Sequence, residues 1–281
     1  MANKQQIQPS IKSINQHYDK NSLETNILSA LSKAGKKMSQ LTLADLASFD
    51  ELHIGGKLAT RALANKAGLH AGSLVMDVGS GLGGPARTIA TEFDLNVIGL
   101  DITEAFCRMA QLLTKSVKMA ETVDFLNGDA LQMPFKPEVF DAIWSQHCSM
   151  NIPDKDRLYS EYHRILKKGG RLLIHDVVAG SQSPICFPVP WAHDQSLSFL
   201  VSESDLRNQV KRVGFSEVFW QDISQNALDW FEMQKAKNVR ENQPILNQKI
   251  VYGENLLAMV RNIKKNIQED RIRVVEYILY R

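Results

Sequence analysis

The stretch Val75-Met76-Asp77-Val78-Gly79-Ser80-Gly81-Leu82-Gly83-Gly84 decides the reading of this chain. A short apolar run ends in a cluster of glycines, and Pro85-Ala86-Arg87 then opens a helical pattern. Glycines concentrate where a backbone must turn sharply and lie against a ligand. On either side, short apolar runs alternate with amphipathic segments, the signature of a parallel sheet with crossover helices. Strands are expected at Leu74–Val78, Asn96–Asp101, Asp124–Asn127, Ala142–Gln146 and Arg171–Val178. Phe106, Met109, Ala110, Leu113 and Val117 recur at helical spacing, as do Leu158, Tyr162, Ile165 and Leu166. The second of these helices has Asp154 as an N-cap, Lys167 and Lys168 opposing its dipole, and Gly169-Gly170 as its expected stop.

Taken alone the glycine run is ambiguous. Gly79, Gly81 and Gly84 fit G-x-G-x-x-G, the dinucleotide pattern, while Asp77, Gly79, Gly81 and Gly83 fit the acidic D-x-G-x-G-x-G pattern of S-adenosylmethionine binders. Ligand charge separates the two. A pyrophosphate seeks bare amides at a helix N-terminus, and a carboxylate at Asp77 opposes it. S-adenosylmethionine brings a cationic amino group and a cationic sulfur, which that carboxylate favours. Asp101 ends the second strand, where a carboxylate accepts ribose hydroxyls in either ligand. Asn127-Gly128-Asp129-Ala130 adds an acceptor for an adenine amine, and the fourth strand delivers Gln146 and His147 to the same edge.

Working outward, residues 1–50 are polar with apolar positions at helical spacing, among them Ile11, Ile14, Leu23, Ile27 and Leu31. A helix runs through Leu58 and Leu63 and closes at Gly68. Residues 181–200, with Pro184, Pro188 and Pro190, read as a long ordered loop of functional kind. Ser202 caps a helix ending at Gly214, Phe215–Ile223 reads as a strand, helix follows over 225–268 with a break near Pro244, and Arg273–Tyr280 is a closing strand.

Composition bounds the class. Hydrophobic residues are 44% and charged residues 23% of 281, a globular balance. Thirty-three Lys and Arg against thirty-one Asp and Glu leave +2, which gives no field for nucleic acid or an acidic membrane surface. Cys107, Cys148 and Cys186 are odd in number and far apart, so reduced thiols in a cytoplasmic setting are expected, without a metal site. Neither a leader peptide nor a membrane span is expected from the hydropathy pattern.

The ordered set Asp77-x-Gly79-x-Gly81-x-Gly83, Asp101, Gly128-Asp129-Ala130 with Met133-Pro134-Phe135, Phe140-Asp141, and Leu166-Lys167-Lys168-Gly169-Gly170 resembles the class I S-adenosylmethionine-dependent methyltransferases over about residues 60–180. Within that class, Gly83-Gly84-Pro85-Ala86-Arg87 and Trp144-Ser145-Gln146 resemble the sarcosine/dimethylglycine-type members, with the ubiquinone/menaquinone type close by. The resemblance implies an α/β, Rossmann-like, seven-stranded and mostly parallel sheet, helices on both faces, the last strand antiparallel, and helical caps. Residues 1–68 would form an N-terminal cap, and 69–281 the methyltransferase domain with cap insertions near 181–200 and 225–268. It implies that Gly79, Gly81 and Gly83 line the methionine moiety with Asp77 behind them. Asp101 and Ile102 would meet the ribose, Asp129 and Ala130 the adenine, and Gln146 and His147 the methyl side. Tyr18 and His53, the latter in a His-x-Gly-Gly turn, resemble residues near the donor in relatives. Where phosphoethanolamine and dimethylglycine relatives tend to carry a histidine after the fourth strand, this chain has Asn151.

The implied activity is methyl transfer from S-adenosylmethionine, leaving S-adenosylhomocysteine, to a small amine of the sarcosine/dimethylglycine kind; a quinone or prenylated phenol is the alternative acceptor. His147 and Tyr18 are the candidate orienting or proton-accepting groups, and His147, Asn151, Trp191 and His193 the candidate acceptor wall, with Phe187 and Trp191 offering faces to an ammonium. His147 reads equally as a hydrogen-bonded core histidine. Arg87 is expected to pair with a nearby carboxylate or carbonyl, and His175 and Asp176 to cap the loop after the fifth strand. A homodimer is compatible with this reading. An NAD-dependent oxidoreductase and a donor-binding module without transfer are the alternatives of other classes.

Overall fold

The computed structural model describes Ser13, His17 and residues 23–240 and 244–281. Seven strands form one sheet: β1 (Leu74–Val78), β2 (Asn96–Asp101), β3 (Val123–Asn127), β4 (Phe140–Gln146), β5 (Leu166–Ala179), β6 (Ser216–Asp222) and β7 (Ile272–Tyr280). Their spatial order is β3-β2-β1-β4-β5-β7-β6. β1 pairs with β2 and β4 in parallel, while β7 runs antiparallel between β5 and β6. This is the Rossmann-like arrangement implied above, with its closing strand reversed. The chain steps from β1 outward to β3 and then returns to β4 on the other side of β1. A crevice therefore opens between the carboxyl ends of β1 and β4, where open parallel sheets bind ligands.

Helices cover both faces. On one lie α3 (Gly56–Ala67) and α4 (Gly84–Phe93), whose Leu63, Ala64, Ala86 and Ile89 pack on Val75, Ala142 and Trp144. On the other, α6 (Lys155–Ile165) and α7 (Glu203–Val213) set Leu158, Tyr162, Leu206 and Val210 against Met76, Ile143 and Leu172. Both central strands are thus buried on both faces, which explains their continuous apolar runs. The caps expected from the sequence form: Asp154 accepts from Arg157 N, Ser202 from Asp205 N, and Gly68 ends α3 in the left-handed region.

Two further apolar clusters roof the sheet edge. α1 (Leu23–Lys33) and the short α2 (Leu43–Leu46) pack through Ile27, Leu31 and Leu46 against Phe106, Met109 and Leu113 of α5 (Glu104–Ser116). The 181–200 segment joins α8 (Ser224–Arg240) and α10 (Leu256–Gln268) through Val189, Trp191, Phe231 and Ile263. Between these helices lies α9 (Lys249–Tyr252), so helix is interrupted around Pro244 as expected.

One boundary differs from expectation. The helix expected to run to Gly169-Gly170 stops at Ile165, and Leu166 is already paired with Phe140 of β4. Gly169 N donates to Arg281 O and Arg281 N to Gly170 O, so sheet pairing takes a segment whose lysines and glycines imitate a helix end.

Candidate functional site

The carboxyl ends of β1, β2 and β4 meet at a cavity of about 410 Å³. Its floor is the turn after β1. Gly79 N and Ser80 N both donate to Leu100 O, at 2.8 and 3.1 Å, which clamps the turn to β2. Gly79 adopts φ +77°, and a Cβ there would meet Cys148 at 2.8 Å, so glycine alone fits. Gly81 lines the cavity, whereas Gly83 sits behind it under Phe125 and Arg87 and does not reach the wall.

Three strand-end carboxylates surround this floor. Asp101 Oδ2 accepts from Gly81 N at 2.9 Å and Oδ1 from Thr103 N at 2.8 Å, which fixes the group while leaving each oxygen a lone pair. Asp129 and Ala130 lie further along the same wall, Asp129 Oδ1 held by Leu131 N at 2.8 Å, and Ile102 lies between. Asp77 is buried beneath the turn, and its Oδ2 has no hydrogen-bond partner. Burial, then the charges of Glu51 and Asp101, push the Asp77 carboxyl up to about 8. A buried acid left unpartnered behind a glycine turn is a site that a ligand cation would satisfy.

Residues 50–53, ahead of α3, form the facing wall. Asp50 Oδ2 accepts from Arg87 at 2.7 Å, and the same guanidinium donates to Leu82 O and to Thr114 Oγ1. Arg87 therefore pairs with a carboxylate and a carbonyl, as expected. Glu51 accepts from Thr88 Oγ1 at 2.8 Å, and burial, then the charge of Asp50, raise it to about 7. His53 Nε2 faces Gly56 O at 3.0 Å, so that nitrogen carries the proton, and burial lowers its pKa to about 3. Thr60 Oγ1 lies within 3.2 Å of His53 Nε2 and of Gln146 Oε1.

The far end of the cavity is built by the end of β4 and the segments that follow it. Gln146 Oε1 accepts from Trp144 Nε1 at 2.7 Å, leaving its Nε2 without a partner. His147 has φ +50°, its backbone N donates to His175 O, and its Nε2 is likewise unpartnered. Its ring stacks on His175 with centroids 5.4 Å apart, and His53 lies 6.1 Å away. Burial, then the neighbouring imidazoles His175 and His53, hold His147 well below the usual histidine range. Trp191 lines this end and anchors its Nε1 on Ser198 Oγ at 3.0 Å.

Several expected residues take other places. Asn151 lines the cavity, yet its Nδ2 donates to Trp191 O at 2.7 Å and Leu197 O at 2.8 Å, tying two wall segments together. His193 is exposed and packs on the His17 ring, because the tight turn closed by Val189 and Ala192 directs Trp191 and Ala192 inward and leaves His193 outside. His175 and Asp176 do not cap the loop after β5. His175 is buried 3.5 Å from Glu276, and Asp176 accepts from Ser149 N in the turn after β4. Tyr18 lies outside the described residues.

Sequence reasoning passed over Asp50, Leu52 and Tyr252, which also line the cavity. Asp50-Glu51 beside His53 was a readable signal, two acids directly before a His-x-Gly-Gly turn. Tyr252 carried none, since only α9 folding back brings its hydroxyl onto Leu52 O at 3.0 Å. Among the described residues no cluster of His, Cys, Asp or Glu is arranged to hold a metal, and no helix is long and apolar enough to cross a membrane.

Comparison with known proteins places this geometry. Residues 76–174 match the family model described as a methyltransferase domain. That match, together with the strand order, supports the resemblance to the class I S-adenosylmethionine-dependent methyltransferases. It is 30% identical over 179 residues to a sterol 24-C-methyltransferase of Saccharomyces cerevisiae, covering 60% of this chain. The chain spans 46% of that relative's length. Among solved structures, a Haemonchus contortus phosphoethanolamine N-methyltransferase superposes with TM-score 0.76 at 20% identity, covering 96% of this chain and 60% of the other. A [4+2]-cyclase superposes with TM-score 0.70 at 19% identity, covering 97% of each chain. The methyltransferase fold thus also appears in a protein titled for other chemistry, and the activity of this one must be argued from its site.

Proposed function

We propose that this methyltransferase transfers a methyl group from S-adenosylmethionine to a small-molecule acceptor held at the His147 and Trp191 end of the cavity. The observation that carries the reading is one continuous cavity with carboxylates at one end and unpartnered neutral polar groups at the other. Asp77 behind the glycine turn suits the donor's ammonium, Asp101 the two ribose hydroxyls, and Asp129 the adenine amine. S-adenosylmethionine supplies a methyl group already activated on a sulfonium, so the protein's task is to position and dehydrate the acceptor. His147, held neutral, can orient the acceptor atom or receive its proton. A cytoplasmic setting and a homodimer belong to the same proposal.

The sequence resemblance supports an amine as acceptor. A quinone or prenylated phenol is the second reading, favoured by the apolar side chains of Met150, Ile152 and Trp191 at the acceptor end. Labelled donor incubated with the protein and a metabolite extract tests transfer itself. Labelled product is expected; tight donor binding without product in any extract would make the chain a binding module. In the variant His147→Asn, which tolerates the positive φ, kcat is expected to fall by about tenfold or more while the donor Kd stays within a factor of about two. Unchanged kcat would remove His147 from the acceptor site.

A further inference from the structure

Resting on the methyl-transfer reading, we infer that the acceptor bears no anionic group: the cavity is built for an uncharged molecule with an apolar body and a neutral hydrogen-bonding handle. The charges lining the cavity are one-sided. Asp50, Asp101 and Asp129 contribute carboxylates, and among the described residues that line it there is no lysine or arginine.

The two buried cations behind the wall are already committed. Arg87 is 1% exposed and donates to Asp50, Leu82 O and Thr114. Lys155 is 3% exposed and donates to the carbonyls of Ser149 and Ile152, pinning the turn that carries Met150 and Asn151. Freeing either to meet a phosphate would leave buried carbonyls or a buried carboxylate without a partner, at a cost exceeding the ion pair gained. An acceptor carrying a carboxylate or phosphate would therefore bring a second anion, beside the donor's own carboxylate, into a cavity whose fixed charges are carboxylates.

The polar groups left over at the acceptor end are neutral. Gln146 Nε2 and His147 Nε2 are buried without partners, and both suit a hydroxyl, a carbonyl or an amine arriving as free base. Burial keeps both His147 and His53 uncharged at neutral pH, so neither replaces the missing cation. The remaining contacts offered are the Trp191 ring, Met150, Ile152 and Pro153. The amine reading narrows accordingly to amines without a carboxylate or phosphate, and the quinone or phenol reading is untouched.

The test follows the charge of the product. The 281-residue chain is incubated with methyl-labelled S-adenosylmethionine and a total small-molecule extract, polar and lipid fractions combined. The reaction is then divided between an anion exchanger in mildly alkaline buffer and an organic layer extracted from alkaline solution. Label is expected in the organic layer at about tenfold or more over the amount retained on the exchanger. Protein-dependent label retained in the larger share on the exchanger would overturn the inference while leaving methyl transfer standing. Absence of any protein-dependent labelled product, in either fraction or in the aqueous flow-through once unreacted donor is separated, with donor binding intact by calorimetry, would overturn methyl transfer and this inference with it.

Discussion

Asp101 holds two backbone amides with its two carboxylate oxygens and still presents lone pairs to the cavity, so its geometry is set before any ligand arrives. If Asp101 receives the ribose hydroxyls as proposed, replacing it by alanine removes charge-assisted hydrogen bonds. Asp101→Ala is expected to weaken S-adenosylhomocysteine binding by about 1.5 kcal/mol or more, roughly tenfold, measured by calorimetry. An unchanged Kd would take Asp101 away from the ribose. Asp77 makes a different prediction. Its folded pKa of about 8 lies above the ordinary aspartate value of 3.8, so its contribution to folding is fully present below that lower value and is lost as pH rises through about 8. A ligand ammonium favours the ionised acid, so donor binding below about 8 must release a proton and should tighten as pH rises towards that value. Calorimetry in buffers of different ionisation heat should show proton release near neutral pH; proton uptake, or none, would contradict the placement. At this scale the strand-end acids could be read from the sequence because each follows an apolar run and precedes a turn. Asp50 stood beside a readable turn and was passed over, whereas Tyr252 could not be placed, because long-range packing alone brings it to the wall.

At the scale of elements, Arg87 on α4 links the segment before α3 to the glycine turn and to α5, reaching Asp50, Leu82 and Thr114. Both members of the Arg87–Asp50 pair are nearly inaccessible, with side-chain exposures of 1% and 3%. Removing the cation alone strands a buried carboxylate, so Arg87→Met should cost about 3–5 kcal/mol in denaturant unfolding. Combined with Asp50→Asn it should cost clearly less than the sum of the single changes, whereas strict additivity would mean that the two side chains do not act as a pair. Most strand positions followed from apolar runs alone, since β1, β2 and β4 are sandwiched between helices and carry little else. Leu166–Gly170 defeated local reading because pairing with Phe140 and Arg281, far away in sequence, outweighs the helix-ending signs of its lysines and glycines. His193 was misplaced for a similar reason: a tight turn decides which side of the loop faces inward, and residue type does not reveal it.

For the whole molecule, the order of strands places β1 and β4 side by side at the point where the chain reverses, and the cavity is lined from that junction, from the ends of β2 and β3, and from the caps that roof it. The glycine run alone left two ligands open, and the carboxylates around it now separate them. A diphosphate would bring its charge against Asp101 and Asp129 with Arg87 already engaged, while a sulfonium nucleoside offers hydroxyl and amine donors to those carboxylates and an ammonium to Asp77. The most direct measurement is an isothermal titration of the 281-residue chain with S-adenosylmethionine, S-adenosylhomocysteine and NADH in parallel. Saturable one-to-one heat with both sulfur nucleosides and none with NADH is the predicted result; saturable heat with NADH and none with either nucleoside would contradict it.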